Sequence, residues 1–223
     1  MSTHIDSSYH LAHHFEDPEQ QREAHTLGLW FFLSTEIMFF GGLFGAYVVY
    51  RHAFYAAFRE AASNLDVTYG AINTTVLICS SLTMALCVYN AQLGKKFWLL
   101  FFLVATFLLS CTFLGIKSIE WTDKYHHHLI PGPTFGTDPN HSFTDPHRSM
   151  MFYILYFFMT GLHGIHVIIG MIIMGWIFKR AVKNEFNQHW YTPVELTGLY
   201  WHFVDVVWIF LFPLLYLLDR IHG

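Results

Sequence analysis

The chain has 223 residues, a formal net charge of −4 with histidine neutral, 54% hydrophobic residues and only 13% charged residues. Soluble domains carry about 25% charged residues, so this composition excludes an ordinary soluble domain and indicates a membrane protein. No basic stripe is present, which argues against a protein that binds nucleic acid.

The N-terminal segment Met1–Thr26 is polar and rich in histidine, and it precedes the first apolar stretch. Its histidines His10, His13 and His14 lie outside any apolar stretch, as do His126–His128 further along the chain. We expect all of these histidines to be solvated or interfacial rather than metal ligands.

Five stretches after this tail are long and apolar enough to cross a membrane, which takes about 20 mostly apolar residues. They predict an all-α integral membrane protein, a bundle of five transmembrane helices occupying residues 27–223. The stretches are Leu27–Tyr50, Ala71–Leu93, Phe97–Ile116, Met150–Phe178 and Val194–Leu218.

The connections between these stretches differ in character. Asn90–Phe97 is short enough to force a tight hairpin between the second and third helices. Lys117–Ser149 is long, and its cluster of Pro, Gly, Asp and Asn predicts irregular structure. Pro213 lies late in the last stretch, where a kink or an early helix end is tolerated.

The distribution of basic residues predicts a cytoplasmic N-terminus and an external C-terminus. The two faces carry equal numbers of basic residues, but those on the proposed inner face crowd into short connections near helix ends, where they count most. The inner residues are Arg22, Lys95, Lys96, Lys179, Arg180 and Lys183, and the outer ones are Arg51, Arg59, Lys117, Lys124, Arg148 and Arg220.

Ionisable residues inside the apolar stretches are the main candidate functional residues. Each costs about 2.5–3.5 kcal/mol on insertion scales, so such groups persist where they face a partner or a cavity. At about 1.5 Å of rise per residue, Glu36 and His202 each lie ~12–14 Å from a predicted helix end, and His163 lies ~20 Å from one. His166 and Asp205 follow at i+3 on the same faces. Three helices therefore bring polar groups towards one layer near the bilayer centre.

We expect these five residues to form one intramembrane polar network. Glu36 is predicted to pair with His163 or His166, and His202 and Asp205 are predicted to complete or flank the network. Glycines near these residues are predicted to let the helix backbones approach closely. They are Gly41, Gly42, Gly45, Gly161, Gly164 and Gly170.

Two other functional classes fit the same residues. A membrane metalloenzyme could use some of the 16 histidines, but di-iron helical sites usually repeat a Glu-x-x-His motif that is missing at membrane depth. A transporter or proton relay could use Glu36, yet the stretches show no inverted repeat or pair of broken helices.

Four motifs resemble subunit III of the haem-copper terminal oxidases, from about Thr26 to the C-terminus. The intramembrane acid of the family falls on Glu36 in LWFFLSTEIMFF, and its two histidines fall on His163 and His166 in TGLHGIHVIIG. INTTVLICSS and VELTGLYWHFVDVVWIFLF carry the rest of the match, with a weaker match at Glu120. The residues matched in these last motifs are Asn73, Thr74, Glu195, Trp201, His202, Asp205 and Trp208.

The resemblance implies a five-helix bacterial form of this family, because many members have seven helices and this chain begins at what corresponds to the third. It implies a non-catalytic accessory subunit of a proton-pumping aerobic oxidase of the cytochrome c oxidase type, in the bacterial inner membrane. This subunit would lack an active site and redox cofactors of its own, bind phospholipid, and support proton uptake and stability. Haem and copper would reside in partner subunits. Subunit I would be the main partner, with subunits II and IV as further candidates.

Three alternatives remain open from the sequence. The chain could be subunit III of a quinol oxidase or an accessory protein of a nitric oxide reductase. From a different class, it could be a stand-alone histidine-rich membrane metalloenzyme.

Overall fold

A computed structural model describes residue 15 and residues 17–138, 143–186 and 190–218. Within these residues the order of elements is α1 (Pro18–Ala53), α2 (Tyr55–Ser63), α3 (Val67–Gln92), α4 (Lys96–His126), α5 (Pro146–Val182), α6 (Thr192–Phe212) and a terminal π-helical turn (Pro213–Leu217). Five helices in this described part are long and apolar enough to cross a membrane. The predicted all-α fold with five such helices is therefore confirmed.

Helices α1, α3 and α5 begin where the sequence supplies a capping side chain. Asp17 and Asp145 each precede a proline at the first helical position, and Asp66 precedes α3. Each carboxylate accepts a hydrogen bond from a backbone N–H of the first turn, at 2.7–3.2 Å. Such a cap satisfies a donor that has no partner within the helix. Helix α1 therefore starts well inside the predicted tail, whose residues 1–14 and 16 lie outside the described residues.

The helix that contains the third predicted stretch is longer than that stretch. The sequence placed Lys117 at the start of an irregular loop, but α4 continues to His126. The physical reason is that Lys117 and Glu120 neutralise one another inside the bundle, so neither charge forces the chain out of the helix. The segment after α4 is irregular from Leu129 to Asp138, as its proline and glycine content predicted.

Helices α3, α4, α5 and α6 form a four-helix ring. Along this ring α3 contacts α4, α4 contacts α5, α5 contacts α6, and α6 contacts α3. The predicted tight hairpin joins α3 to α4, with Gly94 at a φ of 66°, a left-handed conformation that glycine adopts easily. Helix α1 packs outside the ring, against α5 and α6.

Large aromatic side chains fill the ring, including Trp201 and Trp208, which are both fully buried. At Gly170 an added Cβ would lie 2.7 Å from the Trp201 ring, so glycine is needed for this contact between α5 and α6. The expectation of close approach was wrong for Gly41, Gly42, Gly45 and Gly164, where an added Cβ would meet no atom of the described residues within 4 Å.

Candidate functional site

A hydrogen bond between α1 and α5 joins two of the predicted residues. The Nε2 atom of His166 lies 3.2 Å from the Oε2 atom of Glu36, and both side chains are largely shielded, with 11% and 19% exposure. The Nδ1 atom of His166 lies 2.9 Å from the carbonyl oxygen of Leu162. A carbonyl can only accept, so Nδ1 carries a proton.

This geometry leaves one proton to be shared between His166 and Glu36. Either a protonated imidazole donates to the carboxylate, or a protonated carboxyl donates to the neutral Nε2 atom. Both forms of the pair have zero net charge, which suits a group held in hydrocarbon. The pair is thus a polar bond between two membrane helices that needs no counter-ion.

His163, one turn before His166, does not join this pair. It is 1% exposed, and neither ring nitrogen makes a hydrogen bond to any described residue. Its ring packs against Phe113 and Trp208, with ring centroids 5.5 Å and 5.2 Å apart. Of the two partners that the sequence offered for Glu36, the structure uses His166, and His163 behaves as a buried aromatic ring.

A second polar group lies between α3 and α6. The Nδ1 atom of His202 is 2.7 Å from the hydroxyl of Ser81. Asp205 is 3% exposed, and neither of its carboxylate oxygens makes a hydrogen bond of normal geometry with the described residues. Ser81 is nevertheless close enough to interact with it. The expectation of a single network was therefore wrong. Among the described residues no hydrogen bond links His202 or Asp205 to Glu36. The reason is that α6 presents His202 and Asp205 towards α3, whereas Glu36 faces α5.

The most extensive buried polar cluster joins α4, α5 and the terminal turn. Lys117 donates to Glu120 at 2.9 Å and to the hydroxyl of Tyr216 at 2.8 Å. The hydroxyls of Tyr156 and Tyr216 donate to the other carboxylate oxygen of Glu120, at 2.8 Å and 2.5 Å. The ammonium also lies 5.0 Å from the centre of the Trp208 ring. We call Lys117, Glu120, Tyr156 and Tyr216 the end cluster.

Sequence reasoning missed the end cluster, although it contains Glu120. Lys117 was assigned to a loop, and the tyrosines were not considered as partners. The available signal was the i+3 spacing of Lys117 and Glu120, which places opposite charges on one helix face. A buried ion pair is stable only when its remaining donors and acceptors are satisfied, and the two tyrosine hydroxyls do this here.

Trp201 and Trp208, both matched by the family motifs, tie α6 to α3 through their indole nitrogens. The Nε1 atom of Trp208 donates to the hydroxyl of Thr74 at 3.0 Å, and that of Trp201 donates to Ser80 at 3.2 Å. Asn73 is fully buried, and its amide makes no hydrogen bond to the described residues.

Glu195 lies in the first turn of α6, where a carboxylate complements the helix dipole. Within the described residues no three His, Cys, Asp or Glu side chains come together in a group that could hold a metal ion. The polar groups instead bond one helix to another. Their chemistry is that of helix association, with one shared proton at Glu36 and His166.

Comparison with known proteins identifies similar chains. Residues 139–219 match the sequence profile of a family described as cytochrome c oxidase subunit III. The chain is 32% identical to cytochrome c oxidase subunit 3 of Corynebacterium diphtheriae, over 87% of this chain and 88% of that protein. It is 28% identical to cytochrome bo(3) ubiquinol oxidase subunit 3 of Pseudomonas aeruginosa, over 99% of this chain and 98% of that protein. A probable quinol oxidase subunit 3 of Staphylococcus aureus is 25% identical, over 90% of this chain and 92% of that protein.

Proposed function

Because the chain belongs to the cytochrome c oxidase subunit III family, we propose that it acts as a non-catalytic accessory subunit of a proton-pumping haem-copper oxidase in the bacterial inner membrane. The observation that carries this proposal is the similarity to oxidase subunits 3 along nearly the whole chain. The five apolar helices fit a subunit that is embedded beside a larger membrane core.

The proposed role is to pack against the catalytic core, with subunit I as the main partner and subunits II and IV as further contacts, and to support its proton uptake and stability. In this proposal haem and copper belong to those partners. The residues of this chain supply helix-to-helix bonds. Glu36 and His166 hold α1 to the ring, and the end cluster fixes α4, α5 and the terminal turn.

Phospholipid is the one ligand proposed for this chain itself. The groove between α4 and α5 has a volume of about 240 Å³, and Leu103, Phe107 and Met174 are among its wholly apolar lining residues. Such a surface suits an acyl chain, since hydrocarbon requires no hydrogen bonds. Lipid analysis of the purified complex, with and without this chain, tests the assignment.

The structure supports the proposed orientation, with a cytoplasmic N-terminus. Lys117 and Lys124 were counted on the outer face, but they are only 6% and 4% exposed. Lys117 bonds Glu120, and Lys124 donates to the carbonyl of Asn64 at 2.7 Å. Removing these two buried cations leaves the inner face with more basic residues, and such residues favour the cytoplasmic side. Cysteine labelling of the loop at residues 129–138 from outside intact cells tests this orientation.

The electron donor of the complex is a separate question, since the similar chains include subunits of cytochrome c, ubiquinol and probable quinol oxidases. Oxygen consumption by the purified complex, with reduced cytochrome c or with a quinol as donor, distinguishes the two classes.

The function is tested by deleting this chain from its host. The oxidase core should keep its haem spectra but lose activity faster during turnover, and an affinity tag on this chain should recover the core. Stoichiometric iron or copper in the isolated polypeptide would contradict the proposal and favour the metalloenzyme alternative.

A further inference from the structure

The exposed face of α6 between α1 and α3 has grooves on both of its sides. His202 and Val206 line both grooves, so they stand on the ridge between them. The groove towards α1 has a volume of about 440 Å³ and the groove towards α3 about 380 Å³. Val206 and Ile209 are each 46% exposed. We call this surface the α6 face.

The groove towards α3 has a polar floor at a depth where the surrounding lining is apolar. Asp205, Ser81 and His202 lie among Leu77, Ile78 and Leu82. The Asp205 carboxylate is 3% exposed and has no normal hydrogen bond within the described residues. His202 uses Nδ1 to bond Ser81, and its Nε2 atom has no partner in the described part of the chain. The single hydroxyl proton of Ser81 can serve only one of these acceptors, so at least one acceptor is left without a donor among the described residues.

Hydrocarbon cannot satisfy these acceptors. An unpaired polar group in an apolar environment costs several kcal/mol, so acyl chains in this groove would leave that cost in place. A helix from another protein can satisfy them, because polar side chains hydrogen-bond across membrane helices. A carboxylate selects a side chain that donates, such as an amide, a hydroxyl or a basic group.

The two grooves also have the shape that a helix needs. A partner helix that lies over the α6 ridge can place side chains on both sides of it, as ridges and grooves interlock when helices pack. Ile172 on α5 is 67% exposed and lines neither of these two grooves.

We propose that the α6 face docks a membrane-spanning helix of the oxidase core, and that this helix carries a hydrogen-bond donor that bonds Asp205 and His202. The proposal rests on the proposed function, since it takes the partner to be the oxidase core, and it identifies the side of this chain that the core contacts.

Spin labels can test which face is covered. The exposed native cysteines Cys79 and Cys111 are replaced by alanine, and a nitroxide is attached at Ile209→Cys or, as the control, at Ile172→Cys. Oxygen accessibility is measured by electron paramagnetic resonance in the isolated full-length chain and in the assembled oxidase. We expect assembly to remove most of the accessibility at position 209 and to leave position 172 unchanged.

The opposite results overturn the docking proposal. Position 209 remaining accessible to oxygen in the assembled oxidase shows that acyl chains, and not a helix, fill the groove. Protection at position 172 without protection at position 209 places the core on another face. A wild-type chain that does not co-purify with any oxidase core contradicts the proposed function itself, which keeps the two failures distinct.

Substitution of Asp205 tests the polar contact. Interhelical hydrogen bonds in membranes are worth about 0.6–1.4 kcal/mol, so Asp205→Leu should lower retention of the chain by the core about three- to tenfold in a detergent wash. Asp205→Asn, which keeps an acceptor oxygen, should lose less. Thr112→Val is the matched control, because Thr112 is exposed on α4 and its hydroxyl bonds only its own helix, at the Leu108 carbonyl. It should be retained like the wild type.

The isolated variants separate docking from folding. Asp205→Leu should melt at or above the temperature of the wild-type chain when each is purified alone in detergent, because the carboxylate has no normal internal bond to lose. A lower melting temperature of the isolated variant, together with unchanged retention by the core, would show that Asp205 acts inside this chain and would overturn the proposal.

Discussion

Helices α1 and α6 are both apolar enough to cross a membrane, but they are held in different ways. Half of the most apolar stretch of the last helix is buried inside the protein, whereas only 11% of the corresponding stretch of α1 is buried. Helix α6 contributes Trp201 and Trp208 to the centre of the ring. Helix α1 buries few large side chains, among them Phe40 and Tyr47.

The difference shows how much of helix association in this protein depends on polar bonds. In a membrane the surrounding lipid is as apolar as the helix surface, so burial alone gives no hydrophobic driving force. The ring has close van der Waals packing as well as polar ties. On α1, a Cβ added at Gly41, Gly42 or Gly45 would meet no atom of the described residues within 4 Å. Helix α1 is held by the Glu36 and His166 pair together with a few aromatic contacts to α5 and α6. We therefore expect the ring and α1 to respond differently to substitution.

The largest effect should come from breaking the end cluster inside the ring. Glu120→Leu removes the carboxylate that accepts from Lys117, Tyr156 and Tyr216. A buried ammonium without its partner should cost about 3–5 kcal/mol in the free energy of unfolding. Thermal melting of the purified chain in detergent, followed by circular dichroism, measures the loss.

A double variant is the control for this prediction. Lys117→Met combined with Glu120→Leu removes both charges, and buried pairs replaced by apolar residues are often neutral in stability. The double variant should therefore melt above the Glu120→Leu single variant. If both variants melt at the same temperature, the unpaired charge is not the cause of the destabilisation.

Glycine substitutions should have a smaller effect on stability, and this effect should differ between the ring and α1. Gly170→Ala places a methyl group 2.7 Å from the buried Trp201 ring, and overpacking of this kind costs about 1–3 kcal/mol. Gly41→Ala is the matched control on α1, where an added Cβ would meet no atom of the described residues within 4 Å. It should leave the melting temperature unchanged, and equal losses in the two variants would contradict the loose packing of α1.

The next effect should be confined to α1. Glu36→Ala removes the bond to His166, and hydrogen bonds between membrane helices contribute about 0.6 kcal/mol on average and up to about 1.7 kcal/mol. We expect a larger fraction of molecules to have α1 separated from α5, while the ring remains folded. The distance between spin labels at Met38→Cys on α1 and Ile172→Cys on α5, in a background without Cys79 and Cys111, reports the separation.

Glu36→Gln is the control for this third prediction, because its amide can still donate to the Nε2 atom of His166. It should keep the wild-type distance distribution. A broadened distribution in Glu36→Gln equal to that in Glu36→Ala would mean that the hydrogen bond alone does not hold α1, and that the charge of the pair is required.

The sequence predicted the fold better than it predicted the polar contacts. Five apolar stretches identify five helices because hydrocarbon allows few other structures, and Glu36 and His166 stand out because ionisable residues are rare in such stretches. Which of His163 and His166 meets Glu36 depends on the rotation of α5 about its axis, which tertiary packing sets. The end cluster was hidden because Lys117 resembles a residue at a membrane boundary until Tyr156 and Tyr216 are brought to it from distant parts of the chain.

The smallest expected effect concerns the other end of the ring, where Lys96 at the start of α4 donates to the carbonyl of Val182 at 2.7 Å. A cation at the C-terminus of a helix satisfies a free carbonyl and complements the helix dipole, which contributes about 0.3–1 kcal/mol. The side chain is exposed, so the contribution should lie at the lower end. Lys96→Met keeps the length of the side chain and should lower the melting temperature only slightly, and added salt should reduce the difference from the wild type.

Lys95→Met is the control, since Lys95 lies beside Lys96 in the same hairpin and makes no side-chain hydrogen bond to the described residues. A loss in Lys96→Met as large as that in Glu120→Leu would show that the two ends of the ring are held equally strongly, contrary to the difference in burial between them.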